Sequence, residues 1–196
     1  ERRGPRPPGT IPEDRGPPAP VGWGSRVPTI VGWRSAAALR HTLQMASALT
    51  AERVRRDVEV VARAGLDIDT FLAEAVDSLQ RAVPYVAACL ATVDPSTELL
   101  TGTRKYGDLL GRDAHDHEWG LIEYGAIERT AFSEMSQAGI AAAGVHEVYQ
   151  GDTERSNRLR TFMKPHFGYS DEMRVIFRDS GSQVWGGAAL FRDPET

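Results

Sequence analysis

Along AERVRRDVEVVARA, which follows Thr50, Val54, Val58 and Val61 recur at helical spacing while charged residues fill the positions between them. The spacing predicts an amphipathic helix with Thr50 as its N-cap and Gly65 as its stop. A second helix is predicted over IDTFLAEAVDSLQRAV, capped by Asp67 or Asp69 and ended by Pro84, with Phe71, Leu72, Ala75, Val76 and Leu79 on its apolar face. The period then changes. Residues 85–93 form a continuous apolar run suited to a central strand, and Asp94-Pro95-Ser96-Thr97 makes a turn into a second strand over 98–106.

Residues 107–118 are polar and turn-rich, and 119–124 read as a strand or as the entry to a helix. AIERTAFSEMSQA predicts a helix with Ile127, Ala131, Phe132 and Met135 on one face. Residues 145–149 suggest a short strand, and Pro165 a turn. The chain then gives a hairpin: strand runs over 172–178 and 184–191, joined by Asp179-Ser180-Gly181-Ser182. Along EMRVIF, Met173, Val175 and Phe177 fall on one face and Arg174, Ile176 and Arg178 on the other. In VWGGAALF, Gly186, Gly187, Ala188 and Ala189 leave room for a cavity or for a closely packed neighbour. The order of elements excludes parallel βαβ units. It predicts an α+β fold: an antiparallel sheet of five to six strands with helices on one face.

Composition adds boundaries. The 196 residues are 41% hydrophobic and 26% charged, an ordinary globular balance. No apolar run approaches the ~18 residues of a membrane span, and the charged, Pro-rich start has no signal-peptide core, so a cytoplasmic domain without a membrane partner is expected. Cys89 is the only cysteine, which excludes an intrachain disulfide. Eight of the 12 prolines lie in residues 1–28. Residues 1–44 are therefore expected to be a disordered Pro/Arg-rich tail, with Trp23, Ile30 and Trp33 as incidental apolar residues, and Met45 is an alternative start. That tail carries seven Arg against Glu1, Glu13 and Asp14, a net +4, whereas the remainder holds 16 basic and 24 acidic residues, a net −8. The acidic remainder, 45–196, argues against a nucleic-acid surface on the folded domain.

The chemistry-bearing residues point away from catalysis. His115, Asp116, His117 and Glu118 are the one dense group of metal-ligand types, with His115 and His117 at i, i+2. A solvated loop is the expectation, because zinc asks for three or four ligands. His146 and His166 lack any haem-pocket context. No G-x-S-x-G elbow is present, and Cys89 sits in the apolar run VAACLATV with no neighbouring positive charge to lower its pKa. Asp171 and Glu172 alternate faces and cannot converge. GDLLGRD lacks the Lys-Ser/Thr of a phosphate loop. No enzyme activity, metal or cofactor is expected.

The element order, with DEMRVIF at 171–177 and VWGGAALFRD at 184–193, resembles the GAF-type sensor domains that precede a LuxR-type helix-turn-helix in actinobacterial transcription regulators. The resemblance covers roughly residues 48–193. It implies a GAF/PAS-like fold truncated before its C-terminal helix, and DNA binding only through a C-terminal domain outside this chain. It also places a small-molecule pocket between the sheet and the segments crossing its open face. Tyr106, Trp119, Tyr124, His146 and Tyr149 are the candidate walls, since aromatic faces with a few polar tips build such pockets. The stripe Val54, Val58, Val61 is the candidate interface of a homodimer. The alternative is a dimerisation or protein-contact module that binds no ligand.

Overall fold

The computed structural model of the protein describes the backbone of residues 32–125 and 127–196, with side chains from residue 47 onward. Two units are distinguished, Glu1–Arg40 and His41–Thr196. The Pro-rich stretch, with Trp23 and Ile30, lies outside the described residues.

Helix α1 runs from Gly32 to Ala62 and so begins well upstream of the expected Thr50 cap. The intervening SAAALRHTLQMASAL has no proline or internal glycine and is rich in strong helix formers, which carry the helix through Thr50. Residues 32–44, read as part of a disordered tail, thus belong to this helix. It stops where Gly65 takes a left-handed φ of 70°. Helix α2 (Ile68–Gln80) starts as predicted: the Asp67 carboxylate accepts from the backbone N–H groups of Asp69 and Thr70.

Among the described residues five strands form one antiparallel sheet: β1 (Ala87–Val93), β2 (Leu100–Gly107), β3 (Ala142–Gly144), β4 (Asp171–Arg178) and β5 (Val184–Arg192), in the spatial order β2-β1-β5-β4-β3. The register aligns Lys105, Cys89, Ala189, Arg174 and Ala143 in one row across all five strands. Because side chains alternate along a strand, that row and the rows two residues away share one face, and the intervening residues share the other. On the second face Ala88, Leu90, Ala188 and Leu190 pack with Leu72 and Val76 of α2. On the first, Ala87, Ala189 and Phe191 pack with Leu159, Phe162 and Tyr149. Helical segments therefore cover both faces rather than one.

The crossing segments of the first face contain α3 (Asp116–Gly125), α4 (Phe132–Gln137), α5 (Val145–Val148), a five-residue π-helix (Leu159–Met163) and α6 (Lys164–Phe167). Residues 119–124 are thus helical. The expected strand at 145–149 is corrected: β3 precedes it, and Val145–Val148 is a single helical turn beginning at Gly144. The helix read into AIERTAFSEMSQA is confined to Phe132–Gln137, because Glu128 and Thr130 are drawn into the interior as hydrogen-bonding groups instead.

The glycines of β5 make close contacts. A Cβ on Gly187 would lie 2.7 Å from the Phe132 ring, and one on Gly186 would lie 2.6 Å from the Ala91 carbonyl oxygen. Room beside the sheet opens one residue pair further along, at Ala189.

Candidate functional site

A cavity of about 320 Å³ lies between the first face of the sheet and α3. Its floor is Cys89 and Ala91 of β1, Thr101 and Thr103 of β2, and Ala189 and Phe191 of β5. The floor is hollow because small residues occupy adjacent strands: Cys89 is paired with Ala189, and Ala91 with Gly187. Trp119, Phe132, Phe162 and Phe167 form the walls. The π-helix contributes Phe162 and Met163, and the wider turn of such a segment is a recurrent feature of functional sites. The volume falls at the lower end of small-molecule pockets, which span about 300–1,000 Å³.

One end is polar. Lys105, His115 and Asp116 border the cavity there. The Lys105 ammonium donates to Asp113 Oδ1 at 2.7 Å, to the Arg112 carbonyl at 2.9 Å and to Asp116. Burial by itself would lower its pKa, but the hydrogen bonds to Asp113 and Asp116 outweigh burial and raise it. Cys89 behaves in the opposite way: burial pushes its thiol up to about 11, more than the positive charges of Lys105 and Arg174 can offset. It is an uncharged apolar floor residue.

Behind the Trp119–Phe132 wall lies a buried ionic cluster that hydrophobic periodicity does not reveal. Glu172 and Arg174, on the same side of β4 as Ile176, are 1% and 0% exposed, whereas Phe177 on the opposite side is 38% exposed. The charged side of this strand is the deep one. Arg174 Nη1 donates to both carboxylate oxygens of Glu123 at 2.8 Å, and its Nε donates to Glu172 Oε1 at 2.7 Å. Arg158 Nη2 donates to Glu172 Oε2 at 2.8 Å and to Thr130 Oγ1 at 2.9 Å. Glu128 accepts from the Arg158 backbone N–H at 3.0 Å and from the Ser156 hydroxyl. Burial would raise the Glu172 pKa, yet the two guanidiniums together hold it below the ordinary carboxylate range.

This cluster orients the cavity wall. Glu123 Oε1 also accepts from the Phe132 backbone N–H at 2.8 Å, and the Arg174 guanidinium carbon stacks 4.3 Å from the Phe132 ring centroid and 5.9 Å from that of Trp119. The rings that face the cavity therefore rest on a charge network tying α3, β4 and the π-helix together.

Of the five expected pocket residues, the structure brings two to the cavity, Trp119 and Tyr124. The Tyr124 hydroxyl accepts from the Leu100 backbone N–H at 2.8 Å, which fixes the ring against the start of β2. Tyr106 is displaced to the α2 face, because it neighbours Lys105 in the strand and so points the other way. His146 lines a separate recess with Asp171 and Arg192. Tyr149 is buried in the core of the cavity face without reaching the cavity. Lys105, Phe162 and Phe167 had no local sequence signal and Phe132 was legible only as a helix-face residue, although Ala189 was legible as a place where space could open. In the dimer stripe, Val54 is buried within the chain and Val58 and Val61 are half-buried.

His115, Glu118 and His166 come together at the polar end, their ligand atoms all within 4.8 Å of one another. His117, the expected i, i+2 partner of His115, is not in the group. The segment is helical from Asp116, so His115 meets Glu118 three residues on.

No family model matches the chain. It is 32% identical over 99 residues to a probable Xaa-Pro aminopeptidase of Sclerotinia sclerotiorum, a match covering 42% of this chain. The chain spans 18% of the length of that curated relative. Among solved structures it is similar to the LBD domain of VqsR from Pseudomonas aeruginosa, with a TM-score of 0.46 and 13% identity, over 76% of this chain and 80% of that one. Among the described residues no helix is long and apolar enough to cross a membrane.

Proposed function

We propose that this is a signal-sensing domain of the GAF type that takes a small, largely apolar molecule with one polar end. The observation that carries the reading is the cavity between α3 and the sheet, aromatic on its walls, with the Thr101 and Thr103 hydroxyls on an otherwise apolar floor and charged side chains only near Lys105, His115 and Asp116. Its wall is built from crossing segments, so occupancy would bias the packing of α3 and the π-helix and pass a signal onward as a population shift. The resemblance of the closing hairpin to actinobacterial LuxR-type regulators supports a transcriptional output, with a cytoplasmic parent protein binding DNA through a domain outside this chain.

No catalytic step is proposed. The cavity's one thiol is held protonated, and peptidase activity would rest on a match to a small part of a much longer protein. The non-binding alternative predicts a filled core from Gly186 to Ala189. The cavity bordered by Ala189 favours the ligand-binding reading.

The test is a thermal-shift and intrinsic-tryptophan-fluorescence screen of the full chain against small apolar acids, amides and alcohols, with Trp119→Phe identifying the part of the signal that comes from the cavity wall. A ligand at a hundred times its Kd adds about 2.7 kcal/mol of stability. A library in which no compound moves either signal would sink the sensing reading. Homodimerisation through α1 is part of the proposal; it predicts that Val58→Asp halves the mass measured by light scattering, and an unchanged mass removes that interface.

A further inference from the structure

We propose that His115, Glu118 and His166 form a binding site for a divalent transition-metal ion at the polar end of the cavity. His115 Nδ1 lies 3.3 Å from Glu118 Oε2, and His166 Nε2 lies 3.7 Å from Glu118 Oε1. Tetrahedral zinc with bonds of about 2.0–2.1 Å separates neighbouring ligand atoms by roughly 3.3–3.5 Å; the two separations to Glu118 lie near that span, and all three ligand atoms are within 4.8 Å of one another. Two imidazoles and one carboxylate are a ligand set that suits zinc and its neighbours and leaves further coordination positions open.

The site is held from several directions. His115 and Glu118 lie one helical turn apart at the start of α3, and His166 belongs to α6. The two imidazole centroids are 4.1 Å apart, with Phe162 and Phe167 packed around them. Arg112 donates to the His166 carbonyl oxygen at 2.9 Å, which anchors the backbone of that ligand. The local charge favours a cation, since Asp113, Asp116 and Glu118 outnumber Lys105 and Arg112. All three ligands are reachable from solvent, with side-chain exposures of 40% for His115, 51% for Glu118 and 30% for His166.

His115 also lines the cavity. Water or another donor atom would complete the coordination of an ion held there. The metal proposal does not depend on the sensing reading, because binding is measured on the ion alone.

The experiment uses the full chain, stripped with a chelator and titrated with zinc chloride by calorimetry and with cobalt chloride by visible absorption. The expected result is one ion per chain, with the intense cobalt bands of a four-coordinate site. His115→Ala, Glu118→Ala and His166→Ala should each weaken binding at least ~10-fold. His117→Ala should leave it unchanged, and circular dichroism should show every variant folded. Absence of stoichiometric binding would overturn the assignment. So would affinity unaltered by His166→Ala, or an equal loss with His117→Ala, which would mark non-specific capture by surface histidines.

Discussion

Arg174 of β4 and Glu123 of α3 form a buried pair, with Nη1 2.8 Å from each carboxylate oxygen, that fastens the cavity-wall helix to the sheet. The pair is 51 residues apart in sequence and both partners are almost wholly sequestered from water, at 0% and 1% side-chain exposure. Removing one partner strands the other as an uncompensated buried charge. Arg174→Ala or Glu123→Ala should therefore cost about 3–5 kcal/mol in a urea-unfolding measurement. Because each single change breaks the same pair, the loss in an Arg174→Ala/Glu123→Ala double variant should be well below the sum of the two single losses.

The same cluster sets an acid limit. Glu172 would be raised by burial but is held low overall by Arg158 and Arg174, so its folded pKa lies below the unfolded value of about 4.3. A depressed carboxylate contributes stability that is present above the unfolded pKa and is lost as pH falls through the folded one. Unfolding free energy should fall as pH drops below about 4.5. In Glu172→Gln this acid-side slope should be shallower, on a lower plateau at neutral pH. Equal slopes in the two proteins would show that other carboxylates govern acid unfolding.

Glycines with similar dihedrals should respond very differently. Gly65 and Gly107 have φ of 70° and 62°, but a Cβ at Gly65 meets nothing within 4 Å, whereas one at Gly107 would lie 2.2 Å from the Val86 carbonyl oxygen. Gly65→Ala should cost about 1 kcal/mol, the left-handed penalty alone. Gly107→Ala forces β1 and β2 apart and should cost several times more, read as the difference in denaturation midpoint.

Filling the cavity should separate binding from folding. Ala189 borders the open space, so Ala189→Leu puts new methyl groups into a void and should cost no more than the about 1–3 kcal/mol of an overpacked core. Any compound that shifts the melting temperature of the parent protein should lose that effect in the variant. Retention of the full shift would place the ligand elsewhere, with the His146–Arg192 recess as the next location to probe.

The chain's own pattern determined the second helix with its Asp67 cap, the C-terminal half of the first, both hairpins and the α+β class, because these depend on neighbours within a few residues of one another. It also flagged Gly186 to Ala189 as a place without bulk. Which side of β4 faces inward was not legible: alternation puts Met173, Val175 and Phe177 on one face, but only the arrival of Glu123 and Arg158 makes the Glu172–Arg174 side the deep one. The cavity depended on pairing in the same way. Cys89 and Ala189 are far apart in sequence and become a floor only when β1 and β5 align, while Tyr106 leaves the site because it stands one residue from Lys105. His115, Glu118 and His166 likewise converge only once α6 lies beside α3. Local periodicity fixes an element and its two faces; partner choice across the sheet decides which face is buried and which distant groups meet there.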